Sequence, residues 1–241
     1  MSKASRIVSS WTLAVIVGAA APALAKNPNP GVVPPGSNAY GKSYANWSAE
    51  WWKWSLKIDT AVHPSLGGSC TEGQSGKVFF IAADFFGGVG VPCTIPAGKA
   101  VFVAIVNAEC STLEPPPFHG GDEAELLDCA RCWGDHIVPS SVTATLDGVP
   151  LASLASYRAA SPVFPFEVPA NNIFGIPGPA SGQSASDGYW LMLPPLSAGV
   201  HTLSFSGAFD FPDEDEGCDG SGGGFSFGFG GDYVLTVKGG K

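Results

Sequence analysis

An all-β chain forming a single antiparallel β-sandwich of the jelly-roll kind, with one tryptophan-rich helix near its N-terminus and one short additional helix, is the fold this sequence predicts. Three observations point there. The 241 residues include 32 Gly and 21 Pro, and both break helix interiors, which leaves little room for long helices. Short β-branched and aromatic runs alternate with period two between Gly and Pro punctuation. Only one stretch carries a sustained apolar period of three to four residues.

Composition narrows the function classes. Hydrophobic residues make up 45% and charged residues 14%, a balance that intrinsic disorder does not produce. The net charge of −9, with no basic run to offset it, repels nucleic acid, so no nucleic-acid partner is expected. Lys3 and Arg6 precede an apolar stretch that ends in Ala23-Leu24-Ala25, the form of a signal peptide spanning residues 1–25 with a small-residue cleavage site. Cleavage would take the basic count from 12 to 10 against 21 acids, a net charge of −11. No later apolar run approaches the ~18 residues of a membrane span. The expectation is therefore a secreted or periplasmic protein with no membrane span after signal removal.

Residues 26–39 hold four prolines and no apolar period, and read as an extended Pro-rich arm before a β-sandwich domain over 40–241. Ser43 is placed to cap a helix on which Tyr44, Trp47, Trp51, Trp54 and Ile58 share one face, with Glu50, Lys53 and Lys57 opposite. Strands follow at 77–84 and 99–107, both apolar on two faces and hence expected at the centre of a sheet. A second helix is expected over 122–133, with acids in its first turn and Arg131 in its last. Asp147-Gly148 suits a type I′ turn between strands 142–146 and 149–154. A further strand at 188–193 leads into 201–211, whose odd positions His201, Leu203, Phe205, Phe209 and Phe211 should face inward. The returning segment keeps Phe225, Phe227, Phe229, Tyr233, Leu235 and Val237 on one parity, with a bulge expected at Gly230-Gly231. The tip of that hairpin is acidic and glycine-rich.

Six cysteines in an exported chain favour three disulfides. Spacing suggests Cys70 with Cys93, Cys110 with one of Cys129 and Cys132, and Cys218 with the other, each closure contributing about 3 kcal/mol.

Several residues are candidates for chemistry. Trp52 lies off the apolar face of its helix and is the candidate ligand-binding platform, since an exposed indole stacks on sugar rings. Asp213, Asp215, Glu216 and Asp219 crowd the acidic hairpin tip, and such oxygen donors suit calcium, although the spacing is not that of an EF-hand. Glu109 and Glu114, with Asn107 nearby, sit where a buried strand emerges and could act as the acid and base of a glycan hydrolase. GQSGK at 73–77 and GQSAS at 182–186 lack the last glycine of a nucleophile elbow and read as turns. Cys129 and Cys132 are spaced as a redox or haem pair, but the next residue is Trp133 and no second such pair exists, which leaves structural disulfides. His119, in a Gly-rich loop near Asp122 and Glu123, is a metal-ligand candidate, and His201 reads as a core residue.

The segments YGKSYANWSAEWWKW, GQSGKVFFIA, CTIPAGKAVFVAIVNAECSTLE, SDGYWLMLPPLSAGVHTLSFSG and YVLTV together resemble a family of exported bacterial proteins of uncharacterised function. The resemblance implies a single exported domain and brings no activity, substrate or catalytic residue. Cys132, Cys218 and the acidic loop depart from its usual pattern. The leading expectation is a non-enzymatic binding module for extracellular material such as carbohydrate, with no cofactor beyond a possible calcium ion. The alternatives are a secreted glycan hydrolase using Glu109 and Glu114, and a structural envelope protein.

Overall fold

The computed structural model describes residues 29, 31–85, 89–218, 220 and 222–239. The expected signal peptide and Asp219 lie outside them. The chain is built from nine strands and two helices among the described residues: α1 (Tyr44–Leu56), β1 (Val78–Ile81), β2 (Val91–Ile95), β3 (Ala100–Ser111), α2 (Glu123–Asp135), β4 (Thr143–Leu146), β5 (Val149–Pro150), β6 (Phe164–Val168), β7 (Ala180–Leu193), β8 (Gly199–Phe211) and β9 (Phe225–Val237). No described helix is long and apolar enough to cross a membrane.

The strands form two sheets, ordered β1-β3-β7-β6 and β2-β9-β8-β4-β5. The sandwich is mixed rather than purely antiparallel, because β1 runs parallel to β3 and β2 parallel to β9. Parallel neighbours need crossover connections rather than tight turns, and alternation within a strand carries no information about its neighbour's direction. Only β3 is central among the two strands expected there; β1 is an edge strand, buried because other layers cover it.

The first helix forms as its sequence suggests. Ser43 accepts from the Asn46 N–H, which satisfies one of the free donors of the first turn. Tyr44, Trp51, Trp54 and Ile58 are buried. Their polar tips find fixed partners: the Tyr44 hydroxyl donates to the Val33 carbonyl and accepts from the Met192 N–H. The Trp47, Trp51 and Trp54 indoles donate to the carbonyls of Ala39, Ile81 and Glu72. α1 thereby fastens to one face of the β3–β7 sheet, where the Phe102 and Trp190 rings stack at 5.5 Å. The described part of the Pro-rich arm docks as well. Val32 is buried, the Val33 N–H donates to the Met192 carbonyl, and the Asn29 side chain bridges to Ala152.

The other face of this sheet packs on the β8–β9 sheet. In β8, Leu203, Phe205, Phe209 and Phe211 are buried, as the alternation requires, and His201 is half-buried near the sheet end. The β8–β9 register runs unbroken from Gly199↔Val237 to Phe211↔Phe225, so the expected bulge at Gly230-Gly231 is absent. Those glycines instead make room. A Cβ on Gly231 would lie 2.9 Å from the Tyr233 ring and 3.1 Å from that of Phe205, which stack in parallel. Asp147 and Gly148 both have positive φ, 53° and 73°, as a type I′ turn demands.

Three disulfides join the layers: Cys70–Cys93, Cys110–Cys129 and Cys132–Cys218. The first ties the segment after α1 to β2. The other two secure α2, one to β3 and one to the β8–β9 loop. Three such bonds fit an oxidising compartment.

The two sheets approach closely where Val106 meets Gly207, since a Cβ on Gly207 would lie 2.3 Å from Val106 Cγ1. Neither partner can withdraw, because Val106 is buried in a central strand. Gly207→Ala is therefore expected to destabilise the fold by about 1–3 kcal/mol through overpacking, read as a lowered midpoint in thermal or urea unfolding.

Candidate functional site

The site arises from a mismatch in strand length. β1 pairs with β3 only from Ala100 to Val103, although β3 continues to Ser111. β2 pairs with β9 only from Tyr233 to Val237, although β9 begins at Phe225. Along one side of the sandwich, both sheets therefore continue past their short edge strands. The segment after β1 crosses this opening, held by the Asp84 N–H on the Gly230 carbonyl and the Phe85 N–H on the Ser65 carbonyl. Phe85 is 49% exposed and packs against Phe229 at 5.2 Å.

Behind it lies a cavity of about 290 Å³, at the lower end of the size of small-molecule sites. Residues 104–109 of β3 form one wall, Phe209, Phe227 and Phe229 the opposite one, and Phe118 and Trp133 an end. The last two stack at 4.4 Å. Trp51, Trp52, Ile173 and Phe174 close the side toward α1. The aromatic character of β9, with its FSFGFGG pattern, is spent here.

Glu109, Glu114, Asn107 and Trp52 all line this cavity. Glu109 is 4% exposed. Its carboxyl accepts from the Ser184 hydroxyl and lies within hydrogen-bonding reach of the Glu114 carboxyl. Glu114 in turn accepts from the Ser111 hydroxyl at 3.0 Å, and the Ser111 oxygen accepts from the Glu114 N–H. Burial pushes both carboxyls above the usual glutamate range, and the Glu114 charge pushes Glu109 further. Two neighbouring carboxylates cannot both ionise in a dry site, so the pair shares a proton. That contact also departs from glycosidase geometry, in which the two carboxyls stand about 5–9.5 Å apart around the scissile bond.

Trp52 differs from its expected role. It is half-buried, set edge-on to Trp51 at 5.0 Å, and forms cavity wall rather than an exposed platform. The residue lies off the main apolar face of α1, as its position indicates, but Phe164, Phe166 and Phe174 form a second small core there. Every other described tryptophan donates its indole N–H to a backbone carbonyl. Trp52 Nε1 is buried without a partner among the described residues, and so is Asn107 Oδ1.

The remaining candidates lie elsewhere. GQSAS is not a turn: it lies within β7, where Ser186 stands opposite Glu109 and Ser184 opposite Ser111. This polar run was the available signal for the carboxyl's support. GQSGK does form a turn, with the Gln74 amide bridging Cys70 and Phe80. His119 is exposed and bonds the Glu114 carbonyl through Nδ1 at 2.7 Å. No described residue of the acidic loop lines the cavity. Asp213 and Glu216 are exposed, while Asp215 accepts from His136 Nε2 at 2.9 Å and from the Gly217 N–H. His136 stacks on Phe211 at 4.0 Å. Burial works against its charge, but the Asp215 carboxylate and the Cys132 carbonyl outweigh burial and raise its pKa. The closest cluster of metal-type side chains among the described residues, Cys132, His136 and Cys218, has both sulfurs in a disulfide.

Comparison with family models, curated proteins and solved structures returns no match.

A raised carboxyl pKa means that the folded state holds a proton more tightly than the unfolded chain. The contribution of Glu109 to stability is thus fully present below the ordinary glutamate value of 4.5 and is lost as pH rises through the folded pKa. Glu109→Gln retains an acceptor for Ser184 and carries no charge. The variant is expected to be at least as stable as wild type at pH 8, and the difference between them should shrink toward pH 4.5 in urea unfolding series. His63 is buried and held neutral, with Nδ1 accepting from the Ser65 N–H. Burial lowers its pKa below 6.5, so it weakens both proteins equally at acid pH and drops out of the comparison.

Proposed function

We propose that this is an exported, non-enzymatic binding domain whose cavity holds a small amphipathic molecule, with an apolar body among the phenylalanine rings and one polar end at Asn107, Trp52 and the Glu109–Glu114 pair. One observation carries the reading. A buried indole N–H and a buried amide oxygen stand without partners on the wall of an otherwise aromatic cavity. Leaving each unsatisfied costs about 1–3 kcal/mol, and a ligand that accepts from Trp52 Nε1 and donates to Asn107 Oδ1 removes both penalties.

A glycan is a poorer occupant. Polysaccharide modules present flat, exposed rings, whereas Trp52 is enclosed, and the cavity accommodates roughly one ring rather than a chain. The direct contact of the two carboxyls likewise weighs against a hydrolase. The three disulfides support an exported setting.

A neutral probe of suitable size, 2-phenylethanol, is expected to bind the mature domain saturably with a Kd in the micromolar to millimolar range, on the order set by its few heavy atoms. The tryptophans lining the cavity make intrinsic fluorescence the readout. Ala83→Phe, which fills the cavity from the segment after β1, should abolish the response while leaving the unfolding midpoint within a few degrees of wild type. Equal binding by that variant would show that the probe sits elsewhere.

A further inference from the structure

The same cavity carries a statement about the charge of its occupant, which rests on the binding reading above. We infer that the cavity selects an organic cation: a small aromatic or aliphatic amine whose ammonium group lies between the Glu109–Glu114 pair and Asn107 Oδ1, with its apolar body against the phenylalanine rings.

Four independent features converge. First, the lining contains two carboxyl side chains and no Lys, Arg or His. An anionic ligand such as a fatty acid would meet repulsion with no compensating cation, in a place where low dielectric magnifies it. Second, the enclosing side chains are largely aromatic, with Phe118, Trp133, Phe209, Phe227, Phe229 and Trp52 among them. The negative faces of such rings attract ammonium groups, which is how aromatic cages recognise organic cations. Third, the polar groups nearest the carboxyl pair are acceptors in excess. Asn107 Oδ1 lacks a donor, and a carboxyl pair with one proton has more lone pairs than the Ser184 and Ser111 hydroxyls can fill. A primary ammonium brings three donors. Fourth, the chain is acidic overall, at −9, and its field draws cations rather than anions toward it.

The carboxyl pair then acts as an exchange site. In the free protein, a proton holds Glu109 and Glu114 together. An ammonium entering beside them supplies the positive charge that the proton had supplied, so the proton leaves to solvent as the amine binds. Proton and amine compete, and amine affinity should rise with pH until the pair is fully ionised. The groups facing the pair are the Ser111 and Ser184 hydroxyls, Asn107 and the exposed His119. Trp52 Nε1 adds a preference for an acceptor such as a hydroxyl or ether oxygen on the same molecule.

The test compares three size-matched probes, 2-phenylethylamine, 2-phenylethanol and 3-phenylpropanoate, by calorimetric titration of the mature protein at pH 5, 6.5 and 8. The amine is expected to bind at least about tenfold more tightly than the alcohol at pH 8, with the advantage shrinking toward pH 5 and the carboxylate weakest throughout. Titrations in two buffers of different ionisation enthalpy should show proton release with the amine and none with the alcohol. The double variant Glu109→Gln/Glu114→Gln should lose the amine preference and its pH dependence. Asn107→Leu, which leaves both carboxyls in place, should weaken the amine several-fold. Equal binding of amine and alcohol in the wild type would overturn the cation inference and leave the binding reading intact. Absence of binding by all three probes would overturn both.

Discussion

The long central strand β3 is buried on both faces over most of its twelve residues, and much of the structure follows from that constraint. A doubly buried strand must be covered twice, and each cover brings its own chemistry. On one side α1 supplies three indoles and a tyrosine whose polar tips are matched to backbone carbonyls and amides. On the other the β8–β9 sheet supplies phenylalanines, and approaches closely because Gly207 yields to Val106. The edge of β3, however, is covered by β1 only as far as Val103. Beyond that point β3 has a strand, β7, on one edge only, and the space along its other edge becomes the cavity.

Polar groups within this setting are placed with care elsewhere and left open here. Arg158 joins Asp187 and Asp135 at 2.6 and 2.7 Å, His63 has a partner on each ring nitrogen, the Ser65 N–H at Nδ1 and Ser55 at Nε2, and Asn172 ties its own loop together. Three buried side-chain polar atoms among the described residues lack partners, Trp52 Nε1, Asn107 Oδ1 and Ser186 Oγ, and the first two stand out because buried polar atoms are seldom left so and both residues line the cavity. Their coincidence with the carboxyl pair, on the wall of one cavity, is what turns a packing irregularity into a binding site.

The disulfides and the acidic loop belong to the frame. Cys110–Cys129 and Cys132–Cys218 hold α2 between β3 and the β8–β9 loop, which in turn fixes Trp133 at the end of the cavity. Asp215 completes that frame through His136. The loop's charge thus has a structural use for one carboxylate, and its remaining described acids face solvent away from the cavity lining.

The sequence by itself determined the elements whose signal is local. Ser43 and the indole spacing mark α1, the acids from Asp122 onward mark the start of α2, Asp147-Gly148 makes its turn, and parity assigns the buried faces in 201–211 and in the later half of 225–237, although Phe225 is exposed, because side-chain period and backbone φ are properties of a few consecutive residues. Cysteine spacing narrowed the disulfides to pairings that include the observed set. What only tertiary structure decided is non-local. The parallel partners of β1 and β2, the second core that encloses Trp52, the in-strand role of GQSAS and the contact between Glu109 and Glu114 all depend on which strand lies beside which, and where each stops. Glu109 and Glu114 were legible as a pair in the sequence. That they touch, share a proton and line an aromatic cavity follows from the fold, since strand length and register, rather than residue identity, set the distance between them.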